Sequence, residues 1–148
     1  MIVLDTNVIS EALKPAPHEG VIQWLDSQAL ETLFLSAISL AELRSGLEIL
    51  KPGKKRNLLR EKLELSTFPM FAGRVLPFDQ SCTQPYAEVI ASSRRKGFPI
   101  SAADAFIAAI AITNVFSVAT RDTRPFVAAG VSVIDPWSLL IAPRIPGA

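Results

Sequence analysis

Apolar residues in this chain gather into short continuous runs separated by longer mixed stretches. Residues 1–4, 33–36, 74–77, 115–119 and 131–134 read as five short strands, the third of them weak. Asp5-Thr6-Asn7 ends the first run and caps a helix toward Leu13, which Pro15 and Pro17 break. A second helix over 19–29 sets Val21, Ile22 and Leu25 on one face. Ser39 opens a helix running to about Leu50, Pro52-Gly53 is a turn, and a charged helix reaches about Leu65. The helix ending near Lys96-Gly97 either starts on Thr83 as its cap or kinks at Pro85. An alanine-rich helix from Ser101 and a short one over 123–129 complete the series. Strands that alternate with helices, each strand a short continuous apolar run, predict an α/β fold. Its sheet is parallel and carries helices on both faces.

The alanine-rich segment holds the chain's most informative side chain. Between Lys96 and Arg121 the single charged residue is Asp104, in Ser101-Ala102-Ala103-Asp104-Ala105-Phe106-Ile107-Ala108-Ala109. A helix apolar on nearly every side is buried on nearly every side. A carboxylate there is costly unless paired, hydrogen-bonded or bound to metal. The run from Ile100 to Ala119 matches the roughly 20 residues of a membrane span. Asp104 within it, Pro99 and Ser101 at its start and Asn114 as a break argue instead for helix then strand in a soluble core, and no membrane span is expected.

Length and composition set outer bounds. The chain has 148 residues, 49% of them apolar, and suits one domain over 1–142 with a loosely held tail over 143–148. Its single cysteine, Cys82, forms no internal disulfide, and no basic region precedes the apolar start, so a cytoplasmic protein is expected. The net charge of +1 excludes nothing by itself.

In a parallel sheet, ligands bind outside the carboxyl ends of the strands. Asp5 follows the first strand, and Asp122 follows the fourth after Thr120 and Arg121. Glu42 lies one turn into the helix after the second strand, and Asp104 one turn into the helix before the fourth. All four acids meet at one edge and would repel one another unless divalent cations hold them. Each also has a simpler reading: Ser39 to Glu42 and Ser101 to Asp104 both match the capping box, and Asp5 and Asp122 suit caps or turns.

These residues also carry a resemblance. Asp5-Thr6-Asn7-Val8-Ile9-Ser10-Glu11, the stretch from Ser36 through Glu42-Leu43, the Ser101 to Ala109 block and Thr120-Arg121-Asp122-Thr123 resemble, in order, the motifs of PIN-domain nucleases. The resemblance extends from Met1 to about Pro136 and is nearest to VapC-type toxins of toxin–antitoxin modules, the FitB-like branch. It implies a three-layer sandwich with a central parallel sheet flanked by helices. It implies that Asp5, Glu42, Asp104 and Asp122 are the catalytic acids binding Mg²⁺ or Mn²⁺, with Asn7 and Thr120 as polar supports. Many relatives have asparagine at the position of Asp122, and an acid where this chain has Pro125 ahead of Phe126. An all-oxygen donor set suits hard cations. His18, the lone histidine, lies in a proline-flanked loop and builds neither a zinc site nor a histidine base. The implied reaction is hydrolysis of RNA phosphodiester bonds, leaving a 5′-phosphate and a 3′-hydroxyl. The implied partners are a cognate antitoxin, DNA only through that antitoxin, and a second copy in a homodimer.

Basic residues would complete a nuclease. Lys51, Lys54, Lys55, Arg56, Arg60 and Lys62 cluster after the Glu42 helix, where a solvated face with Arg60 paired to Glu64 is the simpler reading. Arg121 and Arg124 flank Asp122 as candidate phosphate contacts, with Arg94-Arg95-Lys96 elsewhere. Trp24 and Trp137 suit core or interface, as do Leu47, Ile49, Leu50 and Leu58. Two other function classes remain. A haloacid-dehalogenase-type phosphotransferase needs a second aspartate where Asn7 stands. A non-catalytic PIN-fold subunit would act mainly as partner of a DNA-binding antitoxin in autorepression.

Overall fold

Asp5, Ser36 and Ser101 each end an extended stretch and accept a backbone amide of the helix that follows, and this device organises the fold. The computed structural model describes residues 1–139. In it β1 (Ile2–Leu4) leads to α1 (Thr6–Ala12) and α2 (Glu19–Ser27), and β2 (Leu33–Ser36) leads to α3 (Ala37–Ile49) and α4 (Lys54–Glu61). Next come β3 (Val75–Leu76), α5 (Thr83–Lys96) and α6 (Ala102–Asn114), then β4 (Ser117–Ala119), α7 (Thr123–Ala128) and β5 (Val133–Ile134). The strands form one parallel sheet in the order β3-β2-β1-β4-β5.

The two-residue period of the strands divides the core between the two faces. Leu4, Leu33, Leu35 and Ala119 pack with Val8, Val21, Trp24, Leu43 and Leu47. Val3 and Val118 point the other way, onto Val89, Ala105, Ile107, Ala108 and Phe126. The expected sheet with helices on both faces is therefore present. In α6, Ala105 and residues 107–111 are all buried, as the apolar run predicted. Ile107 and Ile110 are fully buried, each worth about 1.5–3 kcal/mol of transfer free energy.

Several boundaries differ from the sequence reading for identifiable reasons. The cap of α3 is Ser36, whose Oγ accepts from the Ser39 amide at 3.0 Å. Ser39 is thus buried within the first turn, and Glu42 is one turn further in and completes no capping box with it. Val115 does not begin a strand. It caps α6 with φ 57° and is 90% exposed, a left-handed conformation that β-branched residues rarely take. The charged helix continues as a π-helical turn over Lys62–Thr67 and a 3₁₀ turn over Phe68–Phe71, packing Leu63 and Phe71 into the core. Pro85 sits in the first turn of α5, where its missing N–H costs nothing, so no kink is required; the cap is Cys82, with Thr83 the first helical residue rather than the cap. The last strand begins at Val133, and Val131 is a buried loop residue. Leu47 and Trp24 are buried, whereas Ile49 and Leu58 are exposed. Among the described residues no helix is long and apolar enough to cross a membrane. The tail over 143–148, and the domain limit at 142, lie outside the described residues.

Candidate active site at the strand-order reversal

The chain adds β2 and β3 on one side of β1, then returns to add β4 and β5 on the other. Strand order therefore reverses between β1 and β4, the point at which open parallel sheets bind ligands in a crevice outside the carboxyl ends of the strands. Leu4 pairs with Ala119 in register, so the next residues, Asp5 and Thr120, face each other across the crevice. Backbone hydrogen bonds hold both ends: the Asp5 amide donates to the Ala119 carbonyl at 2.9 Å, and the Thr120 amide to the Ile134 carbonyl at 2.9 Å.

Side chains then knit the two strand ends together. Asp5 Oδ2 accepts from Thr120 Oγ1 at 2.8 Å and from Asn7 Nδ2 at 3.2 Å, while Oδ1 accepts from the Thr6 amide at 2.8 Å. Thr120, fully buried, also accepts from Asn7 Nδ2 at 3.2 Å and from the Asp122 amide at 3.1 Å. Asn7 Oδ1 in turn accepts from the Arg121 amide at 3.3 Å. Asn7 and Thr120 thus both donate to Asp5 Oδ2. Thr120→Val keeps the shape but leaves the Asp122 amide and one Asn7 amide proton without this acceptor. It should cost about 1–3 kcal/mol in denaturant unfolding, and a cost near zero would mean that water replaces the hydroxyl freely.

The other acids reach the crevice from three more helices. Glu42 rises from the second turn of α3, and its Oε1 accepts from Thr6 Oγ1 at 2.8 Å. Asp104 lies half-buried in the first turn of α6, its amide donating to Ser101 Oγ at 3.1 Å. Asp122, exposed, stands at the start of α7. The Asp104 carboxylate is tolerated because it stands at the open end of an otherwise buried helix, where the unpaired amides favour negative charge.

Electrostatics ties the four together. Burial pushes the Asp5 carboxyl up to about 6, against the pull of its Thr120 and Thr6 hydrogen bonds, and the charges of Asp104 and Glu42 add to the rise. Burial also raises Asp104, opposed by the Ser101 hydroxyl and reinforced by Asp122. Among the described residues the ion pairs join Lys14 to Glu11, Arg44 to Glu64, and Arg56 and Arg60 to Glu48; none involves these four acids. No three acidic, histidine or cysteine side chains are gathered into a ready-made cage among the described residues. Mg²⁺ keeps several waters and is bound through one or two carboxylates, so an ion here would rest on Asp5 with one neighbouring acid.

Some functional contacts were missed in the sequence. Thr6 couples Asp5 to Glu42, although the tripeptide reading treated it only as part of a cap. Glu11, the last residue of the first motif, is buried and bonded to Lys14 Nζ at 2.6 Å and the His18 amide at 2.8 Å. Its Lys14 hydrogen bond holds it below the usual range. It closes the loop after α1 and stays out of the crevice. His18 is accordingly the cap position of α2, with no part in the site. The expected Arg60–Glu64 pair is replaced: Glu64 takes Arg44 at 2.7 Å, and Arg60 takes Glu48 at 2.5 Å.

A parallel sheet with a buried aspartate at its reversal point, and further acids at the starts of neighbouring helices, is an α/β fold with an acidic strand edge. The chain belongs to the PIN domain family, whose model matches residues 2–131. It is 58% identical over 137 residues to the plasmid stability protein StbB of Pseudomonas syringae pv. tomato, covering 93% of this chain and 99% of that protein. It is 53% identical to the toxin FitB of Neisseria gonorrhoeae, over 93% of this chain and 99% of that protein. To the VapC ribonuclease Y4jK of Sinorhizobium fredii it is 51% identical, over 93% and 98% respectively. The crystal structure of FitAcB from Neisseria gonorrhoeae superposes with a TM-score of 0.90 at 53% identity, over 94% of this chain and 100% of that one. A structure of FitAB bound to a DNA fragment matches with the same score at 52% identity, over 94% and 97%.

Proposed function

We propose that this chain is an Mg²⁺- or Mn²⁺-dependent endoribonuclease, the toxin of a toxin–antitoxin pair, with Asp5, Glu42, Asp104 and Asp122 as its metal-binding acids. The observation that carries the reading is Asp5. It is buried at the strand-order reversal, raised to about 6, and surrounded by acids that no basic side chain neutralises among the described residues. Such a carboxylate is poised to exchange its proton for a cation. The names of the FitB and VapC relatives support toxin and ribonuclease as the class.

Bound there, the ion supplies Lewis acidity toward water and the scissile phosphate. The residues do the positioning. Thr6, Asn7 and Thr120 fix both oxygens of Asp5, Thr6 also orients Glu42, and Thr120 anchors the Asp122 backbone. Leu4 and Ala119, which precede Asp5 and Thr120 on β1 and β4, are fully buried.

The antitoxin reading rests on a groove of about 880 Å³ between α1, α3 and α4, lined by Leu13, Leu47, Leu50 and Leu58, which opens on Thr6 and Glu42. An antitoxin segment lying there would reach the acids with a basic side chain, displacing the cation. DNA would be met through that antitoxin; the similar FitAB has been solved bound to a DNA fragment. A homodimer in the cytoplasm completes the reading.

Purified protein without antitoxin should cut RNA in Mg²⁺ or Mn²⁺ and lose that activity in excess chelator, since carboxylates alone do not activate water at neutral pH. Cleavage that persists in chelator would refute the metal mechanism. A protein that binds antitoxin yet never cuts would instead favour the non-catalytic autorepression role.

A further inference from the structure

We infer that Arg121 and Arg124 are the phosphate-gripping posts of a single-stranded RNA track running from the end of α5 past Asp122 to the acids. The inference rests on the nuclease reading and adds the face that the substrate crosses.

The arginines divide into two groups. Arg44 is bonded through two nitrogens to Glu64 at 2.7 and 3.0 Å, Arg56 and Arg60 share Glu48, and Arg74 donates to the carbonyls of Leu30, Leu33 and Met70. These are spent on holding the fold. Arg94, Arg95, Arg121 and Arg124 are exposed and form no ion pair among the described residues. Asp122 is adjacent to Arg121 and two residues from Arg124, yet neither guanidinium bonds to it.

Two of the free guanidinium groups are also held in place. Arg121 lies over the Trp137 ring at 5.6 Å, and Arg124 over Phe98 at 5.2 Å. Stacking restrains the plane of the guanidinium and leaves its N–H edges free, the arrangement suited to phosphate. The Arg121 amide bonded to Asn7 fixes this post to the crevice. Lys96 Nζ donates to the Ala128 carbonyl at 2.8 Å, which draws the end of α5, with Arg94 and Arg95, against α7. Charge alone would not choose this face, because Lys51, Lys54, Lys55 and Lys62 are exposed on the α4 side. Lys55 and Lys62 line the apolar groove assigned to the antitoxin segment, whereas Arg121 and Arg124 flank Asp122. With both rings already covered by arginine, the track grips backbone rather than bases and imposes little sequence choice.

The test reads binding of a labelled, short, mixed-sequence single-stranded RNA to the full chain in chelator, by fluorescence anisotropy across a salt series. Arg121→Ala with Arg124→Ala should weaken binding about tenfold per arginine. It should also flatten the logarithmic salt slope by about 0.7 per lost phosphate contact. Arg124→Lys, which keeps the charge and loses the stack, should bind with intermediate affinity and an unchanged slope. Lys51→Ala with Lys54→Ala should stay within about twofold of the parent. Parent-like binding by the double arginine variant, an equal loss in the lysine variant, or no RNA binding by the parent would each overturn the assignment. Since no metal is present, failure of the nuclease reading shows separately, as RNA bound but never cut when metal is restored.

Discussion

Asp5→Asn is expected to abolish RNA cleavage and, in the same protein freed of metal, to raise the melting temperature. The loss of rate should exceed the roughly 10–100-fold typical of removing a supporting residue from a metal site. The gain in stability follows from burial. Asparagine keeps the shape and one acceptor oxygen but carries no charge to desolvate, and it removes repulsion with Asp104 and Glu42. Part of the gain is offset because the new amide must find an acceptor, leaving about 1–2 kcal/mol net of a possible 3. Asp104→Asn should act with the same sign and smaller size, because Asp104 is only half-buried. A capping role would give the opposite sign, since losing a cap costs about 0.5–2 kcal/mol. The cap bond seen at Ser101 uses the Asp104 amide, which survives the substitution. Melts in chelator of the parent and both variants separate the two accounts, and a destabilised Asp104→Asn that still cuts RNA would remove Asp104 from the site.

The second large effect is a pH dependence. Asp5 is raised in the folded chain from 3.8 to about 6, so the folded state binds its proton more tightly than the unfolded state. That stabilisation is fully present below about pH 3.8 and is lost as pH rises through about 6. It amounts to about 3 kcal/mol from Asp5, and Asp104 shifts in the same direction. Glu11, Glu64 and Asp79 are lowered by their partners and work the other way, losing stability as pH falls. The parent-minus-Asp5→Asn difference in unfolding free energy isolates the Asp5 contribution. It should fall by about 2 kcal/mol between pH 4 and 7 in chelator. Saturating Mn²⁺ should return stability to the parent above pH 6, because a ligand of the native state stabilises it, and should not do so in the variant. A flat difference curve would mean that Asp5 is not the buried, crowded carboxylate described.

Much of this architecture was legible in the sequence because the decisive signals are local. Residues 33–36 are apolar enough to mark β2, and the alanine- and isoleucine-rich run through Asp104 marked a buried helix with one anomalous charge. The four acids stood out because strand-to-helix junctions in a parallel fold share one edge. Other features needed three dimensions. Ser36 and Ser39 are both plausible caps, and only the end of β2 decides between them. Val115 has strong strand propensity, but α6 must turn back to reach β4, and a left-handed residue makes that turn. Arg60 and Glu64 stand four apart in sequence, yet Glu48 and Arg44, on the neighbouring α3, offer the contacts actually formed. The roles of Thr120 as a hydrogen-bonding hub and of Thr6 as the link to Glu42 depend on the strand order, which no local pattern encodes.

The claim that these acids form one cation site is tested most directly by anomalous diffraction from crystals of the chain equilibrated with Mn²⁺. The account predicts an anomalous peak in the crevice between β1 and β4, within ligand distance of Asp5 or Asp104 and absent in Asp5→Asn. No peak there at saturating Mn²⁺, or a peak on acids elsewhere in the chain, would contradict it.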